Sequence, residues 1–476
     1  MSKKNPTFVQ AIVLITLIFT VVLTGITVFH LDPHMPLFLA VTFVSAYAFY
    51  LGYGWEELEK YMFDAVASAL QPMFIIMIIG MVVGGWIACG TVPYMIYWGV
   101  KMLSPKWFLL TSVILCSIMS MSLGSSWTTI GTIGVALMGV GAGLGIPAPM
   151  TAGAILTGAF FGDKQSPLSD TTNFAPAVAG TDLYSHVRSM LWTTVPGLGL
   201  SMVGFTFLGF RYGNGSIDQA QLDQFLTVLN NSFNMNVLLL IPIIVLIILI
   251  VRKTPAVLAM GIATLLGVVF AMALQGATFG EALTYIHYGY KSNTGVAMVD
   301  KLLSRGGLNS MMWTISLMMM ALCMVGVLNK TNVLNVILEK ISKAVSKPFG
   351  LITTTLLTCI GFSCVAPESN MAMVLPGTMF APAYDRLGID KSVLSRTLED
   401  GTTLVAPMIP WHTGAVYSSV TLGVSTLSYF PFYFLGIITP IACIIMAFFN
   451  IGTFKATQKK ASSALTATDT IDTQSA

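Results

Sequence analysis

Charged residues are scarce in this chain of 476 residues: they make up 9% of it, whereas hydrophobic residues make up 55%. A soluble domain carries about 25% charged residues, so this scarcity excludes an ordinary water-soluble fold. Several stretches contain roughly 20 apolar residues, enough to cross a hydrocarbon core of about 30 Å. The clearest are 8–29, 190–210, 255–274, 308–328 and 429–449.

Other absences narrow the class further. The apolar stretches lack the alternation with period two that outer-membrane barrels show, so the sequence predicts an all-α polytopic membrane protein. The six cysteines have no paired spacing, which argues against a metal cluster or a disulfide framework. The first apolar stretch is too long for a signal peptide and has no small-residue cleavage site, so we expect it to be the first span.

The basic residues set the expected orientation, because Lys and Arg concentrate in cytoplasmic loops. Lys3 and Lys4 precede the first span, and three lysines follow the last one, whereas "HLDPHMP" after the first span has neither Lys nor Arg. Both termini are therefore predicted to be cytoplasmic. Residues 456–476 are rich in Ser, Thr, Ala and Gln, which is typical of a disordered tail.

Polar segments interrupt two apolar regions in the first half of the chain. "MSLGSSWTT" interrupts 107–145, and "FGDKQSPLSDTTN" interrupts 147–188. Non-helical backbone at membrane depth is tolerated only where protein or a water-filled cavity surrounds it. We therefore predict a re-entrant hairpin over 107–145 and a discontinuous helix over 147–188.

The second half repeats this plan. "CVAPESNMA" interrupts a predicted hairpin over 349–385, and "LEDGTTLVAPMIPWHTG" interrupts a predicted discontinuous helix over 392–424. The first hairpin would enter from outside and the second from the cytoplasm, which predicts two inverted-topology repeats, a plan typical of secondary transporters. The alternative is that loop composition falls into register by chance.

The spacing of the interruptions supports the repeat. "MSLGSSWTT" precedes "CVAPESNMA" by 243 residues, and "GLGIP" precedes "RLGID" by the same distance. The repeats are predicted to cover 1–211 and 233–455, joined by a polar external linker at 212–232.

The interruptions concentrate the candidate site residues. A broken helix leaves free carbonyl and amide groups, and its carbonyl ends suit a hard cation when hydroxyl and amide oxygens complete the shell. The candidate ion-binding or proton-carrying carboxylates are Asp163, Asp170, Glu368 and Asp400. The candidate coordinating residues are Ser125, Ser126, Thr129, Thr172, Asn173, Ser369, Asn370, Thr402, Thr403, His412 and Thr413.

Each candidate also has a structural interpretation. Asp163 and Lys164 could form ion pairs with Glu399 or Asp400 across the repeats. Asp170 or Glu368 could cap a half-helix instead of binding an ion. His412 could be a hydrogen-bonded packing residue.

Three stretches carry a resemblance to a known family: "SLGSSWTTIGTIGVALMGVG", "GAFFGDKQSPLSDTTNFAPAVAGTDLYSHVRSML" and "LEDGTTLVAPMIPWHTGAVYSS". They resemble the NhaC-type sodium/proton antiporters, and the resemblance covers nearly the whole chain. It implies a bacterial inner-membrane antiporter that exchanges Na⁺ for H⁺ by an elevator-like motion, with no cofactor. On this basis Na⁺ is expected at Asp163, Asp170, Ser125 and Asn173.

Alternative functions stay open. One branch of the family resembles a malate/lactate exchanger coupled to Na⁺ and H⁺, which would need Lys164, His412 or half-helix N-termini to bind a carboxylate. No protease arrangement lies on continuous helices, so we expect no enzyme, and duplicated breaks suit a transporter better than a channel. The expected partners are membrane lipid and small ions, with small carboxylates under the alternative function. We expect no nucleic acid and leave a homodimer open.

Overall fold

A computed structural model of the chain describes residues 3–213, 219–252, 254–343, 347–366 and 368–454. Over these residues the fold is all-helical. The helices of the first half are α1 (Phe8–Thr27), α2 (His34–Tyr50), α3 (Trp55–Ser68), α4 (Leu70–Ala88), α5 (Thr91–Met102), α6 (Pro105–Leu123), α7 (Ser126–Thr129), α8 (Val135–Gly143), α9 (Ala148–Gln165), α10 (Asp170–Ala179) and α11 (Leu183–Tyr212).

The remaining helices continue the same plan. They are α12 (Gln219–Ser232), α13 (Ile241–Val251), α14 (Ala256–Gln275), α15 (Phe279–Tyr288), α16 (Ala297–Leu303), α17 (Leu308–Lys330), α18 (Val333–Lys343), α19 (Pro348–Val365), α20 (Ser369–Arg386), α21 (Lys391–Gly401), α22 (Thr413–Leu422), α23 (Thr426–Tyr429) and α24 (Phe434–Phe449). A π-helical segment, Ile130–Gly134, joins α7 to α8.

Six helices in the described ranges are long and apolar enough to cross a membrane: α1, α6, α11, α14, α17 and α19. The number rises to nine if each sharply bent helix pair counts as one span. The prediction of an all-α polytopic membrane protein is therefore confirmed. The inverted topology and the division into two repeats stay predictions.

A pair of helices around a break occupies the range of each predicted hairpin, and re-entry from one side of the membrane stays a prediction. Gly124 ends α6 in the left-handed conformation at φ 67°, which glycine adopts without strain, and the Ser125 side chain then caps α7. Glu368 plays the equivalent role at the N-terminus of α20, where its carboxylate accepts a hydrogen bond from the Met371 N–H at 2.9 Å. The helix ends lie within two residues of the predicted hairpin bounds.

The first discontinuous helix consists of α9 and α10, and it ends earlier than the predicted residue 188. Gly180 terminates α10 with φ 77°, and the Asp182 side chain caps α11 by accepting from the Ser185 N–H. The second discontinuous helix consists of α21 and α22, separated by an irregular segment that contains a 3₁₀ turn at Ala406–Met408.

The range predicted to be a polar linker contains a helix. Phe225 and Leu229 of α12 are 2% and 0% exposed and belong to the hydrophobic core. Because the range as a whole has low hydropathy, its sequence did not indicate that these two residues are buried. Residues 214–218 of this range, and the predicted tail at 456–476, lie outside the described residues.

Each discontinuous helix has one half packed against the hairpin of its own half of the chain and the other half packed against the other half of the chain. We call this arrangement the exchanged halves. In the first, α9 packs against α6 of the first hairpin, whereas α10 packs against α20 and α21. In the second, α21 packs against α19 of the second hairpin, whereas α22 packs against α8 and the π-helical segment of the first. Consequently the breaks from the two halves of the chain lie close together.

Glycines allow the tightest of these contacts, between α6 and α9. A Cβ atom at Gly158 would lie 2.3 Å from the Val113 carbonyl oxygen, and one at Gly162 would lie 2.3 Å from the Ser117 carbonyl oxygen. Small residues four positions apart are a common means of bringing membrane helices close together.

We expect Gly162→Ala to destabilise the protein by about 1–3 kcal/mol, because the added methyl group would displace backbone. The measurement is the thermal unfolding midpoint of purified protein in detergent. Gly199→Ala on α11 is the matched control, since a Cβ there meets no heavy atom within 4 Å. Equal midpoints for the two variants would contradict the close packing of α6 on α9.

Candidate functional site

The four chain breaks enclose a cavity of about 150 Å³. The first hairpin and the first discontinuous helix contribute Gly124, Ser125, Ser126, Trp127, Phe160, Asp163, Lys164, Ser169, Asp170 and Thr171. The second half contributes Glu368, Ser369, Asn370, Thr403, Ala406, Thr413 and Gly414, and α4 and α17 add Ile75 and Met318.

A buried ammonium group connects the two halves of the chain at this cavity. Lys164 has no exposed surface, and its Nζ lies 3.0 Å from Oε2 of Glu399 and 3.6 Å from Oδ2 of Asp163. The ammonium also donates to the Thr171 hydroxyl. A buried ion is tolerated when it is both paired and hydrogen-bonded, and Lys164 meets both conditions.

Side chains from the breaks hold the two carboxylates in place. The Ser126 hydroxyl donates to Oδ2 of Asp163 at 2.9 Å, and the Thr172 hydroxyl donates to the Asp163 carbonyl oxygen at 3.0 Å. The Thr403 hydroxyl donates to Oε2 of Glu399. Each carboxylate therefore receives a donor from its own half of the chain as well as the shared ammonium.

An oxygen of one lining residue and an oxygen of the carboxylate that pairs with Lys164 are buried without a hydrogen-bond partner within the described part of the chain. They are Oδ1 of Asn370 and Oε1 of Glu399. An unsatisfied buried acceptor is unfavourable, so such oxygens gain from a nearby donor or cation. Carboxylate and amide oxygens are the ligands that hard cations prefer.

Nine of the predicted site residues line the cavity: Ser125, Ser126, Asp163, Asp170, Glu368, Ser369, Asn370, Thr403 and Thr413. Six do not: Thr129, Thr172, Asn173, Thr402, His412 and Asp400. Ion binding at any of these residues stays a prediction, because the geometry shows only which side chains are brought together.

Several of the six residues outside the lining support the chain breaks. The Asn173 amide donates to the carbonyl oxygens of Pro167, at 2.9 Å, and Ser169, at 2.7 Å. The Thr129 hydroxyl donates to the Ser125 carbonyl oxygen, and the Thr402 hydroxyl to the Leu398 carbonyl oxygen. These contacts tie each side chain to the backbone close to a break.

The structure shows which of the expected helix caps and ion pairs form. Ser169, and not Asp170, caps α10, so Asp170 lies in the first turn of the helix with an exposed side chain. Glu368 does cap α20, and Glu399 is the residue that pairs with Lys164. His412 caps α22 through Nδ1, which accepts from the Gly414 N–H.

Asp400 belongs to a separate buried cluster on α21 and α11. Its Oδ1 accepts a hydrogen bond from the Thr193 hydroxyl at 3.2 Å, and its Oδ2 has no partner among the described residues. Arg396, one turn earlier, is also fully buried and donates to the Gly452 carbonyl oxygen. His186, which lies on α11 like Thr193, is buried and hydrogen-bonded to Ser395.

Sequence reasoning missed Trp127, an aromatic residue that lines the cavity. The indole of Trp127 stacks on the ring of Tyr417 at 4.7 Å between centroids, and the Tyr417 hydroxyl donates to the Trp127 carbonyl oxygen. The signal was an aromatic residue within the polar break "SSWTT". Ile75 and Met318 had no such signal, because only tertiary packing brings α4 and α17 to the site.

Comparison with known proteins gives a consistent result. Residues 158–451 match the Na⁺/H⁺ antiporter family. The chain is 37% identical to the Na⁺/H⁺ antiporter NhaC of Alkalihalophilus pseudofirmus, over 95% of this chain and 98% of that protein. It is 38% identical to the arginine/ornithine antiporter ArcD of Halobacterium salinarum, over 94% and 93%. It is 34% identical to the malate-2H⁺/Na⁺-lactate antiporter of Bacillus subtilis, over 91% and 93%.

The ion pair at the site makes a prediction about stability. Lys164→Met would leave Asp163 and Glu399 buried without their shared counter-ion, so we expect a loss of about 3–5 kcal/mol. The double variant Lys164→Met/Glu399→Gln should recover part of that loss. The measurement is the free energy of unfolding in detergent micelles, with Lys60→Met, at an exposed lysine, as the control. No recovery in the double variant would show that the pair is not the cause.

Proposed function

The chain belongs to the Na⁺/H⁺ antiporter family, and we propose that it exchanges Na⁺ for H⁺ across the inner membrane of a bacterium. The observation that carries the proposal is the cavity where breaks from both halves of the chain meet. Asp163, Asp170 and Glu368 line it, and Lys164 is the one cationic side chain among its described lining residues. An excess of negative charge in a low-dielectric cleft attracts small cations.

Asp163 is the carboxylate that we expect Na⁺ and H⁺ to share. The Lys164 ammonium lies closer to Glu399, at 3.0 Å, than to Asp163, at 3.6 Å, so it compensates Glu399 more fully. Asp163 is thereby left for exchange, and Asp170 and the Ser125 hydroxyl line the same cavity. A protonated carboxyl group loses the charge that holds Na⁺, so binding of one ion displaces the other.

The exchanged halves of the discontinuous helices support an inverted repeat with alternating access. Each hairpin packs against one half of its own broken helix and one half of the other. Such an arrangement suits an elevator-like motion in which the hairpins and broken helices move together relative to α4, α14 and α17. The proposed orientation has both termini in the cytoplasm, following the basic residues next to the first and last spans.

Exchange of an organic acid is the alternative that the cavity favours less. Lys164 already contacts two carboxylates, and Glu368 occupies the N-terminus of α20 that would otherwise attract an anion. The acidic lining suits a cation better, inorganic or organic. The relative named for arginine and ornithine makes an organic cation the second candidate cargo.

The first test is transport in proteoliposomes. Vesicles loaded with Na⁺ and diluted into Na⁺-free buffer should become acidic inside, as read by a trapped pH dye. Asp163→Asn should reduce this signal to that of protein-free vesicles, because the substitution removes the shared charge. Asp223→Asn, at an exposed residue of α12, is the matched control and should transport normally.

The cargo is decided in the same vesicles by replacing the Na⁺ gradient with Li⁺, K⁺, arginine, malate or lactate gradients. Exchange of arginine, or of malate for lactate, together with an inactive Na⁺ gradient would reject Na⁺/H⁺ exchange and assign an organic cargo.

Asp400 gives a sharper prediction, because it lies outside the cavity lining. If it carries the proton while Asp163 binds Na⁺, Asp400→Asn should retain exchange of radioactive Na⁺ for unlabelled Na⁺ and lose exchange of Na⁺ for H⁺. The Asn side chain can still accept the hydrogen bond from Thr193. Asp163→Asn should lose both activities. Equal loss of both activities in a folded Asp400→Asn protein would place Asp400 in Na⁺ binding or positioning instead.

A further inference from the structure

A second cavity, of about 350 Å³, lies between α1, α18 and α19, and among the described residues it shares no lining residue with the functional site. Its walls are almost wholly apolar. They include Ile12, Ile15 and Phe19 of α1, Leu334 and Ile337 of α18, and residues of α19 from Thr354 to Val365. We call this cavity the α1–α19 groove.

The length of the groove matches one leaflet of a bilayer. From Thr354 to Val365, at 1.5 Å per residue, α19 advances about 16 Å, which is close to half of a hydrocarbon core of about 30 Å. Gly361 widens the groove, because a Cβ at this position would meet no heavy atom within 4 Å. A long, thin, apolar molecule such as an acyl chain fits this shape.

One end of the groove is basic. Lys340 follows Ile337 by one helical turn, and its Nζ lies 4.2 Å from the ring centroid of Phe8, one turn before Ile12. Lys347 directly precedes α19, and both lysines are exposed. Glu339 is the single acidic residue in the sequence of α18. Basic residues beside a groove between membrane helices attract anionic lipid headgroups.

We propose that the α1–α19 groove binds an anionic phospholipid, with one acyl chain against α19 and the phosphate at Lys340. The choice of an anionic lipid follows from the basic end, and the choice of an acyl chain follows from the apolar walls and the leaflet-like length. Val365, at the deep end, precedes Glu368 of the functional-site cavity by three residues. A bound lipid therefore contacts α19, the hairpin arm that directly precedes the break with Glu368.

The test uses phosphatidylglycerol with a photoreactive diazirine in its acyl chain, added to the purified full-length protein in detergent. After irradiation, mass spectrometry should locate the labels on the groove residues of α1 and α19. Unlabelled phosphatidylglycerol should compete for labelling, and phosphatidylcholine should compete about fivefold less well for each lysine that contacts the phosphate. Equal competition by the two lipids would overturn the proposal.

Two variants separate the acyl-chain and headgroup contributions. Gly361→Phe fills the groove and should abolish labelling, whereas Gly361→Ala fits the open space and should label normally. Lys340→Gln should reduce the preference for phosphatidylglycerol about fivefold, whereas Lys291→Gln, at an exposed lysine elsewhere, should not. Unchanged labelling in Gly361→Phe, or an unchanged preference in Lys340→Gln, would contradict the site. Labelling that appears only after deletion of residues 455–476 would assign the groove to the chain's own tail.

Discussion

The ion pair between Lys164 and Glu399 is the interaction on which the arrangement of the site depends. It joins α9 to α21, so it connects the two halves of the chain at the level of their breaks. Charged groups in a membrane-spanning region are costly unless they are paired, and removing one partner leaves the other uncompensated. The pair therefore favours the single packing in which all four breaks face one cavity.

The breaks themselves are stabilised by the same polar residues that make the cavity chemically useful. Ser125, Ser169, Glu368 and His412 each cap a helix that starts at a break, so the freed backbone N–H groups are satisfied locally. A cluster of Ser, Thr and acidic residues in an apolar sequence thus has a structural cause as well as a functional one. A structural cause does not account for a lining residue such as Asn370, because its side-chain oxygen is buried and has no donor among the described residues.

The sequence was sufficient to predict the outer helix ends of both hairpin ranges to within two residues, because glycine and polar clusters interrupt otherwise apolar segments. It could not decide whether Lys164 would pair with Glu399 or Asp400. Neighbouring residues on a helix point about 100° apart, and only the packing of α21 decides which of them faces the ammonium. Likewise, the polar composition of α12 hides Phe225 and Leu229, whose burial depends on tertiary contacts.

The charge of the side chains that line the cavity offers a reason why one architecture serves relatives named for different cargoes. Those relatives align with more than nine-tenths of this chain at 34–38% identity, so we expect them to share its helical framework. What a transporter carries must then depend on the few side chains that line the cavity. Here Lys164 lies closer to Glu399 than to Asp163, and Asp400 lies outside the lining, so the carboxylates that line the cavity are those of Asp163, Asp170 and Glu368. We expect a cavity with that balance to favour cations, and we expect a change in the charge of one lining residue to change the class of cargo.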